Sequence, residues 1–355
     1  QIGGFVPENF NLTYDGAVPA DEALARSLNI PAVKMLQIYT YQQFHSLLKR
    51  MGMTTLTKPP GHYGLSIILG GAEASLWDIT GMYASMARSL NNASRKKTNV
   101  TGEYPLVYSA KPEISGKTFI NRSTFDPGSL WLTFGAMQEA TRPGDELMWR
   151  QFSGSRRIAW KTGTSFGNRD AWVIGVTPEY VVGVWVGNAS GEGRPGLTGI
   201  SMAAPVMFEI FGLLPPTSWF EMPQESMIRV PVCRYSGYRA SPVCEPVDSV
   251  WIPKTGARTL PCPFHQIVHL DRTGQWQVTD ECESTSNMQH VAWFVLPPVQ
   301  EWYFRNRNPF YKVLPPFRAG CKARPDRRNL EMLYPKNNTV LYIPIALDGK
   351  AGSSV

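Results

Sequence analysis

Residues 157–188 read RIAWKTGTSFGNRDAWVIGVTPEYVVGVWVGN, and this stretch decides the fold. Arg157 to Thr164 is strand-like and ends on Lys161-Thr162-Gly163-Thr164, which a short Gly-containing loop follows. Asp170 to Thr177 and Tyr180 to Asn188 are rich in Val, Ile and Trp, and Pro178-Glu179 joins them. Two such runs separated by a turn predict a hairpin. Ile200 to Leu213 then reads as a closing helix.

Upstream the apolar period changes to that of helices. Ala20 to Met51 reads as helical, with Asp21 able to cap a first segment whose apolar residues are Leu24, Leu28 and Ile30. A second helix is expected to open at Pro31, a favoured first-turn residue. Thr40-Tyr41-Gln42-Gln43 matches a capping box, with Phe44, Leu47, Leu48 and Met51 as the apolar stripe and Gly52 as the stop. Ser75-Leu76-Trp77-Asp78 starts another helix, whose stripe is Leu76, Ile79, Tyr83, Met86 and Leu90. Residues 91–120 read as a polar surface loop with one short hairpin, and Leu130 to Thr141 as a helix. Helices first and antiparallel strands later predict an α+β domain.

The chain has 355 residues, 43% of them hydrophobic, enough for two or three domains with real cores. No run approaches the roughly 18 apolar residues of a membrane span. Net charge is +7, but the basic residues are scattered. The densest runs, Arg95-Lys96-Lys97 and Arg324 to Arg328, lack the interleaved aromatics of a nucleic-acid groove and read as solvated loops. No nucleic-acid partner is expected. All five cysteines lie at or beyond Cys233, a composition change that predicts a separate module holding disulfides or a metal.

Two short motifs carry chemistry: Ser27-Leu28-Asn29 after a helix, and Lys161-Thr162-Gly163-Thr164 at a strand end. Each alone is weak. Ser27 can merely cap a helix, Asn29 can be a turn residue and Lys161 a solvated strand end. A second Lys-Thr-Gly at Lys254 follows Pro253 with no hairpin after it, and reads as coincidence. The contexts are more specific. Glu22 to Val33, Gly64-Leu65-Ser66 through Leu69-Gly70-Gly71, and residues 161–188 occur in this order. Together they resemble the transpeptidase domain of penicillin-binding proteins, over roughly residues 5–213.

That resemblance implies the serine β-lactamase/penicillin-binding-protein fold and an acyl-transfer cleft. Ser27 and Asn29 would line one wall. Ser27 Oγ would relay a proton to the leaving amine, and the Asn29 amide would hold the substrate backbone and the general-base lysine. Lys161 would face them as a fixed positive charge. Thr162 and Thr164 hydroxyls would bind the substrate carboxylate, with Ser165 beside them. Gly163 would leave the strand bare for a peptide to lie alongside, and the Thr164 amide would serve the oxyanion. Trp172 and Trp185 read as core, Asp170 as ordering the loop, and His45 as a satisfied helix residue.

The family's nucleophile lies in a Ser-x-x-Lys motif before Ser27. The two matches here, Ser46 to Lys49 and Ser94 to Lys97, come after it and lack its context. Both are rejected, and the nucleophile is expected upstream of Gln1. Residues 1–213 are therefore read as a transpeptidase domain without that part, and 214–229 as a linker. The Cys-rich β module is placed at 230–327, and the start of a C-terminal β-sandwich domain at 328–355. The last two resemble the 1C type of bifunctional, class A penicillin-binding protein. That type implies a periplasmic enzyme with an N-terminal inner-membrane anchor and a glycosyltransferase domain. Its partners would be the D-Ala-D-Ala stem peptide of peptidoglycan, β-lactams and other cell-wall synthesis proteins, with no cofactor and no metal. The rival reading is a non-catalytic peptidoglycan-binding scaffold that kept the cleft; a β-lactamase or sensor domain is a third.

The inferred periplasm is oxidising, which favours disulfides. Cys233–Cys244 would close a short loop, and Cys262–Cys282 a longer one around a turn at Asp271-Arg272-Thr273-Gly274, with Cys321 left over. The competing reading is zinc, because Cys233, Cys244, Cys262 and His265 supply suitable ligands.

Overall fold

The computed structural model describes residues 7–10, 12, 14–94, 125–140, 156–306 and 308–321. Residues 91–94, expected as loop, close the helix Leu76–Ser94; the rest of the loop and hairpin expected to 120, the two basic runs, Lys97 of the second Ser-x-x-Lys match and the expected β-sandwich start at 328–355 lie outside the described residues. The chain divides into two compact units, residues 1–265 with 294–311, and residues 266–293 with 312–355.

The first unit is built on an antiparallel sheet of β1 (Ala159–Thr164), β2 (Asp170–Val176) and β3 (Val181–Gly187), in that order. β1 pairs with β2 from Ala159↔Val176 to Thr164↔Ala171, so Lys161 to Thr164 lie on an edge strand. The β2–β3 turn falls where Pro178-Glu179 predicts it: Thr177 N–H donates to the Tyr180 carbonyl at 2.9 Å, and Asn91 Nδ2 donates to the Pro178 carbonyl at 2.8 Å.

Both faces of the sheet are covered, and the period-2 alternation assigns each residue to one of them. Trp160, Ala171, Val173, Val182 and Val184 pack with Met207 and Phe211 of the helix Ala204–Leu213. Ala159, Ile174 and Val176 pack instead with Leu90, Leu130 and Phe134. Glycines let the helices approach closely. A Cβ on Gly175 would stand 2.5 Å from Met207 Sδ, and one on Gly183 would stand 2.2 Å from Thr80 Oγ1.

The helices follow in chain order: α1 (Ala20–Ala25), α2 (Asn29–Tyr39), α3 (Tyr41–Arg50), α4 (Pro60–Tyr63), α5 (Leu76–Ser94), α6 (Pro127–Gln138), α7 (Ala204–Leu213) and α8 (Pro298–Arg305). The capping reading at Thr40 holds, its Oγ1 accepting from Gln43 N–H at 3.4 Å. His45 is buried, with Nε2 3.0 Å from the Lys58 carbonyl. Two helix starts are corrected. α2 opens at Asn29 rather than Pro31, since a proline inside the first turn removes an N–H that has no helical partner anyway. Asp21 does not cap α1; it sits in the first turn, where its charge suits the helix dipole.

The stretch 214–229, expected as a linker, is packed down. Phe220 is buried and stacks on Phe134 at 4.9 Å. It leads into β4 (Met227–Cys233), which pairs antiparallel with β5 (Val247–Pro253). This hairpin rests on α6, where a Cβ on Gly128 would stand 2.6 Å from Met227 Sδ. Compactness thus divides the chain differently from composition. Lys254 begins a short helical turn after β5, with no hairpin following it.

β6 (His265–Leu270) pairs with β7 (Gln289–Phe294), and their residues 266–270 and 289–293 belong to the second unit. The expected turn at Asp271 is present: Asp271 accepts from Thr273 Oγ1 at 2.8 Å and from Gln275 N–H at 3.1 Å. The cysteine pairing is corrected. Cys282 is bonded to Cys321, while Cys233, Cys244 and Cys262 are free thiols. Sequence spacing measures loop length only, and the partner of Cys282 is set by the chain returning alongside it at Gln277↔Phe317.

Candidate active site

The site begins with a helix that ends on an unusual residue. α1 stops in a reverse turn where Ser27 N–H donates to the Leu24 carbonyl at 3.0 Å and Leu28 N–H to the Ala23 carbonyl at 2.9 Å. That pair of bonds is the Schellman stop, whose left-handed position normally belongs to glycine. Here Ser27 holds it, with φ of 57°. A side chain there costs roughly 1–2 kcal/mol, so local stability alone selects glycine over serine. Arg26 fixes the turn from below: it pairs with the buried Asp15 and, at 2.7 Å, with Glu22.

The Ser27 hydroxyl meets Lys161. Lys161 Nζ donates to Ser27 Oγ at 2.6 Å and to the Thr162 carbonyl at 2.9 Å. Among the described residues Lys161 has no carboxylate partner. Burial pushes its ammonium down to about 8, because removal from water disfavours the charged form. Ser27, Lys161 and Thr162 open on a cavity of about 340 Å³, which Ala25, Arg26, Ala140, Trp160 and Ile200 complete.

The other candidates take different places. Asn29 stands in the first turn of α2, and its Nδ2 donates to the Glu8 carbonyl at 2.8 Å; it is not among the cavity-lining residues. Thr164 Oγ1 accepts from Gly199 N–H at 3.0 Å. Ser165 closes the β1–β2 loop, where Asp170 N–H donates to its Oγ at 2.8 Å. Asp170 also accepts from Trp185 Nε1 at 2.9 Å, which fits its expected ordering role. Trp185 packs edge-on to Trp172 but is 38% exposed, so only part of it belongs to a core.

Gly199 was missed by sequence reasoning. A Cβ there would stand 2.5 Å from the Trp172 carbonyl oxygen and 2.6 Å from that of Gly163. The wide turn Gly199–Ala203 therefore runs directly over β1 and brings Ile200 to the cavity. The available signal was Thr198-Gly199 just before an apolar helix, which marks a cap and a close approach. Arg26 was legible as a helix residue, but nothing in sequence joins it to Asp15. A lysine of lowered pKa against a hydroxyl, beside an open strand edge, can pass a proton and hold an anion.

No family model matches the chain. Over 214 residues it is 32% identical to penicillin-binding protein 1C of Escherichia coli K12, covering 60% of this chain and 25% of that protein. Over 205 residues it is 30% identical to penicillin-binding protein 1B of Vibrio cholerae, covering 57% and 25%. The chain thus spans about a quarter of the length of these relatives. The crystal structure of penicillin-binding protein 1A from Haemophilus influenzae superposes with a TM-score of 0.53 at 19% identity, covering 74% of this chain and 44% of that one. The α+β fold is that of a penicillin-binding-protein transpeptidase domain.

Proposed function

We propose, on the premise that this chain belongs with the penicillin-binding proteins, that Ser27 on one side and Lys161 with the β1 edge on the other line a D,D-transpeptidase cleft. The observation that carries this reading is the Lys161–Ser27 hydrogen bond at the mouth of an edge strand. The substrate is the D-Ala-D-Ala end of a peptidoglycan stem peptide. It lies along β1 as an added strand, its carboxylate held by the charge on Lys161 and the Thr162 hydroxyl. A serine nucleophile gives its proton to the lysine of its own motif and attacks the penultimate carbonyl to form an acyl-enzyme, and Ser27 Oγ hands its proton to the departing D-Ala amine. Lys161, with its lowered pKa, returns a proton to Ser27 Oγ. The amine of a neighbouring stem resolves the ester and leaves a cross-link. β-Lactams acylate the same serine.

The nucleophile and its lysine are carried by sequence outside residues 1–355, in a longer protein that also bears a glycosyltransferase domain and a periplasmic, membrane-anchored location. Ser46 does not serve: it is exposed on α3 and is not among the cavity-lining residues. That same observation favours a second reading, a non-catalytic scaffold that binds stem peptides in the cleft.

Labelling with a fluorescent penicillin and mapping the labelled peptide separates the two. The 355-residue chain alone is expected to form no stable adduct. The longer protein is expected to be labelled on a serine of a Ser-x-x-Lys sequence outside it. Labelling of Ser46 overturns the site assignment, and an unlabelled longer protein supports the scaffold.

A further inference from the structure

The free thiols of the first unit converge on one histidine. Donor atoms of Cys233, Cys244, Cys262 and His265 all lie within 4.8 Å of one another. His265 Nδ1 is 3.4 Å from Cys233 Sγ and 3.6 Å from Cys262 Sγ. A tetrahedral zinc with Zn–S near 2.3 Å and Zn–N near 2.0 Å has S···N edges of about 3.5 Å and S···S edges of about 3.8 Å. The two sulfur–nitrogen distances already have that length. The widest edge of the cluster must close by about 1 Å.

We propose that these four residues bind one structural Zn²⁺ as a tetrahedral Cys₃His site. The donor set selects the metal: thiolates with one imidazole in a four-sided cage suit zinc and leave no open position for chemistry. On binding, each cysteine releases its thiol proton to solvent and gives a sulfur lone pair to the metal. His265 binds as neutral imidazole, so no oxidant or reductant is needed. The site then carries one net negative charge, and hydrogen bonds are in place to share it. Ser236 Oγ donates to Cys262 Sγ at 3.2 Å, and Ser241 N–H donates to Cys244 Sγ at 3.3 Å. Cys233, Cys262 and His265 are buried, and the imidazole packs against Tyr235 and Phe294 at 6.0 and 5.2 Å between centroids.

The expectation of no metal is replaced by this site, and the Cys233–Cys244 disulfide gives way to two thiolate ligands. The metal would tie the end of β4, the loop through Cys244 and the approach to β6, in a stretch poor in large apolar residues. This inference is independent of the transpeptidase reading and stands if that reading falls.

Zinc content of the 355-residue chain, purified from zinc-replete cells and dialysed, is the test. About one zinc per chain is expected, falling at least tenfold in Cys262→Ser and staying near one in Cys321→Ser. Less than a tenth of an equivalent in the wild type, retention in Cys262→Ser, or non-reduced peptides joined through Cys233 and Cys244 overturns it. Should Cys262→Ser fail to fold, zinc-edge X-ray absorption of the wild type decides. Three sulfurs near 2.3 Å and one nitrogen near 2.0 Å support the site; a shell of oxygen and nitrogen only rejects it.

Discussion

Ser27 Oγ accepts a 2.6 Å hydrogen bond from Lys161 Nζ across 134 residues of sequence. Each partner is set by a different device. Ser27 stands at the left-handed end of α1, in a turn that Arg26 and Asp15 clamp. Lys161 stands on β1, positioned by its register opposite Ile174 on a strand buried on both faces. Neither device depends on the other, so the contact reports the packing of α1 against the sheet edge through α6.

The backbone at Ser27 gives the first prediction. Ser27→Ala loses the hydrogen bond and keeps the left-handed strain. Ser27→Gly loses the bond and relieves the strain. Denaturant unfolding should find the alanine variant less stable than the glycine variant by about 1 kcal/mol. The reverse order would mean that the turn is not left-handed at this residue.

Lys161 predicts a pH dependence of stability. Its folded pKa, about 8, lies below the ordinary 10.5. Between these values the unfolded chain holds the proton that the folded chain has lost, so stability rises with pH there. Below about 8 both states are protonated, and the contribution is a constant penalty. Wild-type stability measured relative to Lys161→Met should therefore climb from about pH 8 to about pH 10.5 and be flat below. A flat difference throughout would place Lys161 in water.

Gly199 predicts a steric cost at the site. Gly199→Ala drives a methyl group into two backbone carbonyl oxygens, which cannot rotate away. It should lower stability by about 2 kcal/mol or more. Gly61→Ala, in a helical turn where the added methyl group meets nothing within 4 Å, should not destabilise. Thermal unfolding of both variants checks the contrast, and equal melting temperatures would argue that the turn does not cross β1.

The Cys282–Cys321 bond spans 39 residues. The chain-entropy relation assigns a loop of that size about 4 kcal/mol. Amide exchange across 266–293 should accelerate by roughly a thousandfold when Cys321→Ser removes the bond. Unchanged protection would show that this unit is held by its other contacts.

The hairpin of residues 170–188 was legible because Val, Ile and Trp runs stop at Pro178-Glu179, which is local information. Thr40 and the turn at Asp271 were legible for the same reason. The misreadings share the opposite cause. Pro215-Pro216 reads as a linker, yet Phe220 a few residues on is an aromatic with a distant partner in Phe134. Asn29 is assigned to the cleft by motif alone, and its Nδ2 contact with the Glu8 carbonyl is one that no local pattern announces. Sulfur chemistry was legible as a composition change, whereas partners are fixed by which strands run together.

If Lys161 acts in acyl transfer in a transpeptidase cleft, acylation must slow when its ammonium is removed. The most direct test is the rate of acylation by a fluorescent penicillin in the longer protein, wild type against Lys161→Ala, with folding checked by circular dichroism. A rate at least tenfold slower, about 1.4 kcal/mol of barrier, is the predicted result. A folded Lys161→Ala variant that acylates at the wild-type rate would remove Lys161 from acyl transfer.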